Sequence, residues 1–122
     1  MSLRAYQQTA ARAESGRELE YRLFGQVTRA LIEAAALDPS EVSARADALD
    51  WNRRLWATLA GIVAEPDNAL PAPLKAQIIS IGIWVGKYTS TVIRREDDDI
   101  QALIDVNRAI MQGLSGAAAE AA

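Results

Sequence analysis

Two short stretches hold the side chains best suited to recognising another molecule. Ala48–Trp56 reads A-L-D-W-N-R-R-L-W and brings together Trp51, Asn52, Arg53, Arg54 and Trp56. Leu103–Met111 reads L-I-D-V-N-R-A-I-M and repeats the pattern more loosely, with Asn107 and Arg108 in the matching places. These residue types suit binding rather than bond-making. The chain has no histidine and no cysteine. That removes His/Cys zinc sites, thiol nucleophiles, histidine-based triads and disulfides. Carboxylates remain, but no pair stands in an acid/base context. The Asp97–Asp99 run reads as the charged start of a helix, because no further hard ligands stand at a metal-binding spacing. The reading is therefore a protein that is not an enzyme, with no cofactor and no metal.

The elements that carry these residues follow from composition. A chain of 122 residues is about one domain. Half of it is hydrophobic and only 6% aromatic. Alanine with scattered Leu, Ile, Glu and Arg favours helix over sheet. A net charge of −3 argues against direct nucleic-acid binding, which needs a concentrated basic footprint. The first residues lack the apolar core of a signal peptide. The longest strongly apolar uncharged run, Ala76–Gly86, is about half of the ~20 residues a membrane span needs. A soluble, cytoplasmic protein is expected, without membrane insertion and without a small-molecule substrate.

Periodicity and capping signals divide the chain into helices. Residues 1–14 are either a short packed helix or a mobile arm. Ser15–Glu18 has the capping-box pattern, so a helix is expected over about Gly16–Ala36, with Leu19, Leu23, Val27, Ala30, Leu31 and Ala34 inward. Asp38-Pro39-Ser40-Glu41 is a second start signal, opening a helix that runs to about Ala64. Its inward arc holds Val42, Leu49, Asn52, Leu55, Trp56, Leu59 and Val63. The stretch Glu65–Pro73 is a proline-stiffened loop in which Leu70 can plug the core. A third helix, Pro73–Arg95, presents Leu74, Ile78, Ile81, Val85, Tyr88 and Val92 as a packing seam, with Ile83 and Trp84 read as core. It is expected to be either the central helix or one that offers a second face to a partner. Gly82 and Gly86 on it could admit a neighbouring backbone. The last helix should run from Asp98 to Leu114, ended by Gly113 or Gly116, with Ile100, Leu103, Ile104, Asn107, Ile110 and Met111 inward. The expected architecture is all-α, a compact bundle of four main helices with a short N-terminal fifth as an option. The domain is residues 1–114, followed by a flexible tail, 115–122.

Asn52 and Asn107 each fall at the middle of an apolar stripe, where an amide is costly unless it is satisfied. Either they fix helix register by bonding one another, a backbone group or water, or they floor a groove and bind a partner's backbone. Trp51, Arg53, Arg54 and Arg108 lie at the edges of these stripes. Tryptophan and arginine are enriched among the residues that dominate interfaces; the plainer reading is a half-packed ring and solvated cations.

With these residues in order, the chain resembles the FlaF family of flagellar biosynthesis regulators. The resemblance spans Tyr6–Leu114. It rests on S-G-R-E-L-E at Ser15–Glu20, N-R-R-L-W at Asn52–Trp56, N-A-L-P at Asn68–Pro71, L-K-A-Q-I-I-S-I-G-I-W-V at Leu74–Val85 and L-I-D-V-N-R-A-I-M-Q-G-L at Leu103–Leu114. Gly16 and Ala69 stand where the family pattern often has proline. The resemblance implies a small cytoplasmic protein that supports flagellin synthesis and export, similar in role to a flagellin secretion chaperone and working alongside the translation regulator FlbT. The alternatives are a regulator acting through FlbT without touching flagellin, and a self-associating helical adaptor. For a flagellin-binding surface the expected residues are Trp51, Asn52, Arg53, Arg54 and Trp56, then Asn68, Leu70 and Pro71, then Asn107 and Arg108.

Overall fold

The computed structural model describes the backbone of residues 3–97 and 99–121, and the side chains of Leu3, residues 21–97 and residues 99–113. Among these residues the chain forms four α-helices and no strand. They are α1 (Leu3–Ala36), α2 (Val42–Val63), α3 (Ala72–Ile93) and α4 (Gln101–Ala121). Helix α2 packs on α1 and on α3, and α1 also packs on α4. The short links favour antiparallel packing of α1 with α2 and of α2 with α3. The expected all-α bundle is what forms.

The chain ends its helices differently from the capping signals. α1 is one helix of 34 residues and runs straight through Ser15–Glu18, so no separate fifth helix precedes it. A capping box acts only where N–H groups are free, and a Ser-Gly pair inside a helix costs only about 1–1.5 kcal/mol against strong formers on both sides. The side chains of Leu19 and of the Ser15–Glu18 box lie outside the described residues. Asp38 caps a turn rather than a helix: its Oδ1 accepts the Ser40 N–H at 2.9 Å, and α2 begins only at Val42. That bond holds the Asp38 carboxyl below the usual carboxylate range. α4 starts at Gln101, after Asp97 Oδ1 accepts the Asp99 N–H at 3.1 Å, and it continues past Gly113 and Gly116.

The core follows the stripes. Phe24, Val27 and Leu31 of α1, Leu49, Trp56, Leu59 and Val63 of α2, Ile78, Val85 and Val92 of α3, Ile100 just before α4, and Leu103, Ile104 and Ile110 of α4 are buried. Leu70 packs against this core from the loop, with its N–H donated to Asn68 Oδ1 at 3.0 Å. Phe24 is fully buried and meets Trp56 edge-on, with ring centroids 5.5 Å apart.

α3 departs most from expectation. Its seam is buried or half-buried as the spacing requires, yet it is not the central helix. Ile83 is 57% and Trp84 38% exposed, whereas both read as core. α3 packs chiefly along α2, so only one side of its nearly all-round apolar surface is covered. Trp84 stacks instead on Tyr88, with centroids 4.9 Å apart, and Tyr88 Oη–H donates to the Asp99 carbonyl at 2.8 Å. Val42, expected inward, is also exposed, because α2 begins there. Of the two glycines, Gly82 faces α2, where an added Cβ would lie 3.4 Å from Ala60 Cβ; one at Gly86 would meet nothing within 4 Å.

Gly86→Ala therefore gains helix propensity without a clash and should raise stability by about 0.5–1 kcal/mol in urea unfolding. Burial, and then the charges of Asp97 and Asp99, push the Tyr88 phenol above its ordinary value. The neutral phenol is thus the form the fold favours. Its contribution is complete below the unfolded value of about 10 and is lost as pH rises through the folded one. Tyr88→Phe should flatten the fall in stability above that pH, measured by denaturation at pH 9 and pH 11.

Candidate functional site

The inward half of the Ala48–Trp56 stretch meets its echo in α4. Asn52, Trp56 and Asn107 are all 0% exposed. Asn107 is the hub. Its Nδ2 donates to Asn52 Oδ1 at 2.8 Å and to Thr28 Oγ1 at 3.2 Å. Its Oδ1 accepts the Trp56 indole N–H at 2.8 Å. Thr28 in turn donates to the Phe24 carbonyl at 2.6 Å. The orientation is forced by chemistry. An indole nitrogen can only donate, so Asn107 must offer it the oxygen and turn its two N–H groups to Asn52 and Thr28. Three helices, α1, α2 and α4, are thereby tied at one level. Of the two readings of the asparagines, register is the one the geometry fulfils. None of the three residues has surface for direct contact with a partner while the bundle is closed.

The network is not complete. Asn52 Nδ2 and Thr89 Oγ1 are buried with no hydrogen-bond partner among the described residues. Thr28 was not legible as a member. A threonine at the edge of an apolar stripe is the only signal, and it identifies no partner.

The outward half of the stretch is different. Trp51 is 38% exposed. Asp50 bridges both arginines, to Arg53 and, at 3.1 Å, to Arg54 Nε. These side chains are 38–73% exposed, so each pair contributes only about 0.2–0.5 kcal/mol. Arg108 and Pro71 are exposed, while Asn68 and Leu70 are half-buried. Asn68 shapes the loop and Leu70 fills the core. The structure thus separates the ten candidates: Trp51, Arg54, Pro71 and Arg108 lie open, Arg53, Asn68 and Leu70 lie part-buried, and the other three are interior.

Trp51 lies nine positions from both Val42 and Ala60 on α2. At ~100° per residue that is half a turn round the helix. Ala60 faces α3 at Gly82, and Val42 lies beside Val92 and Ile93 in a shared cleft. Trp51 is therefore on the side of α2 away from α3, on a line with half-buried Leu55 and exposed Ile62. The second open apolar surface is the α2–α3 face, with Ile83, Ile93 and Val42. No group of three His, Cys, Asp or Glu that could hold a metal occurs among the described residues, and no helix there is long and apolar enough to cross a membrane.

Losing a buried partner leaves the opposite group desolvated at a cost of ~1–3 kcal/mol. Asn107→Ala orphans Trp56 Nε1 and Asn52 Oδ1 together and should cost about 3–5 kcal/mol by chemical denaturation. Asn52→Ala breaks a single bond and removes an amide nitrogen already unpaired, so about 1–2 kcal/mol is expected. Equal costs would show that Asn107 is not the hub.

Neither comparison with curated proteins nor comparison with solved structures gave a match. The family described as Flagellar protein FlaF matches residues 2–114, which takes in both asparagine stretches, the proline loop and the exposed face of α3. The chain belongs to the FlaF family of flagellar proteins.

Proposed function

We propose that this protein binds flagellin in the cytoplasm as a secretion chaperone, by accepting an amphipathic segment on its α2–α3 face. The observation that carries this reading is the exposure of aliphatic side chains on these two helices: Ile83 is 57%, Val42 53% and Ile93 43% exposed. Exposed apolar surface of this kind marks an interaction site. Two helices packed side by side leave a groove between them, and an amphipathic guest helix lays its apolar side into such a groove. Gly86 and Gly61 leave open space above their backbones, so a guest can approach closely. The family ties the protein to the flagellum, and flagellin is the guest this reading assigns, because its terminal segments are expected to form amphipathic helices on packing. A segment that folds on binding spends part of its interaction energy on ordering, which keeps the complex reversible.

Titration calorimetry of unpolymerised cognate flagellin into the wild type, Ile83→Asp and Trp51→Ala tests this. The wild type should bind, and Ile83→Asp should weaken binding by about tenfold or more, some 1.4 kcal/mol. Loss confined to Trp51→Ala would move the site to the opposite face of α2. No binding by folded wild type at tens of micromolar would sink direct chaperoning and favour a route through FlbT. Light scattering checks the remaining occupant of the face, a second copy of the chain.

A further inference from the structure

The end of α3 is built in an unusual way. Arg94 is its C-cap, and Arg95 follows with φ 60, the one positive-φ residue other than glycine among those described. The Arg95 N–H donates to the Val92 carbonyl at 3.0 Å, and the Glu96 N–H donates to the Thr91 carbonyl at 3.1 Å. That is the Schellman ending, whose left-handed position normally belongs to glycine because a Cβ is strained there. An arginine here costs stability, and such strain is found where a side chain serves another purpose.

The side chain has somewhere to go. A cleft of about 210 Å³ opens between the start of α2 and the end of α3. Leu49 and Val92 form its buried floor, exposed Val42 and Ile93 its walls, and Pro39, Arg45 and Arg95 also line it. Arg45 is engaged in an interaction of its own. Among the described residues Arg95 Nη2 reaches only the Pro39 carbonyl, at 3.4 Å, which uses one of the guanidinium's five N–H donors. The cleft is smaller than the ~300–1,000 Å³ of small-molecule sites. Its lining is aliphatic, and a cation lies beside it in a chain whose net charge is −3. Those features suit a peptide that sets a carboxylate next to an aliphatic side chain.

We infer that this cleft is an anchor for an acidic-aliphatic position of the bound flagellin segment, with Arg95 gripping the carboxylate and Val42, Leu49, Val92 and Ile93 holding the aliphatic group. The inference rests on the flagellin-binding reading and extends it. It fixes one end of the guest where α2 and α3 meet, because Ile93 lines the cleft and is itself 43% exposed. Arg95 is retained in a strained position because its charge selects the guest.

Arg95→Gly separates the backbone from the charge. It should raise the urea midpoint, since glycine relieves the strain, while weakening flagellin binding several-fold. Arg95→Glu should weaken binding by about tenfold or more. Wild-type affinity should fall between low and high salt, and the Arg95→Gly affinity should not. Wild-type binding that survives Arg95→Glu unchanged overturns the anchor and leaves the flagellin reading standing. Absence of wild-type binding overturns both. Stability and affinity rising together in Arg95→Gly would show that the arginine has no part in recognition.

Discussion

The carboxamide of Asn107 is the constraint around which the bundle closes. It sits at zero exposure and bonds to side chains of α1 and α2. Apolar stripes specify which faces meet, but they tolerate sliding by a turn, because one aliphatic contact resembles the next. A buried amide does not tolerate it. Shifting α4 by one turn would strand the Trp56 indole, the Asn52 oxygen and the Asn107 nitrogen in an apolar interior, each at a cost of ~1–3 kcal/mol. The network therefore sets the level at which α1, α2 and α4 lie, and the surrounding core packs to that register.

α3 is outside this arrangement. It is joined to the rest by its apolar seam, by close approach to α2 at Gly82 and by the Tyr88 bond at its far end. It also carries Ile83, 57% exposed. The rigidly registered helices thus form a platform, and the helix held by less specific contacts presents the open surface. That division suits a protein that keeps one shape while a partner folds onto it. The left-handed Arg95 ends α3 beside the same face, so the termination of the helix and the chemistry of the cleft are one local feature.

Much of this was legible in the residues. The stripes of α1, α2 and α4 and the inward position of Asn52 and Asn107 follow from a 3.6-residue period, and the plug role of Leu70 from a lone apolar residue among prolines. The outward turn of Trp51 and Arg54 follows from the same projection. Capping signals were less dependable. Ser15–Glu18 and Asp38–Glu41 are local patterns that can cap a helix or simply sit within one or in a turn, and their flanks decide which. Ile83 and Trp84 were misread because α3 is apolar nearly all round, and hydrophobicity without a clear stripe does not say which side is covered.

The sequence by itself determined that the chain is helical and, for α1, α2 and α4, which residues seek the interior. Those are properties of composition and period, carried by each helix alone; the family resemblance rests instead on the order of short motifs along the chain. Only the tertiary structure decided that Asn107 is the hub and Asn52 its acceptor, that Thr28 and the Trp56 indole complete the network, and that α3 lies at the side with one face bare. It also decided that Arg95 takes a glycine's conformation beside a cleft. Each of these depends on the level and angle at which separate helices meet, which no single helix's pattern contains.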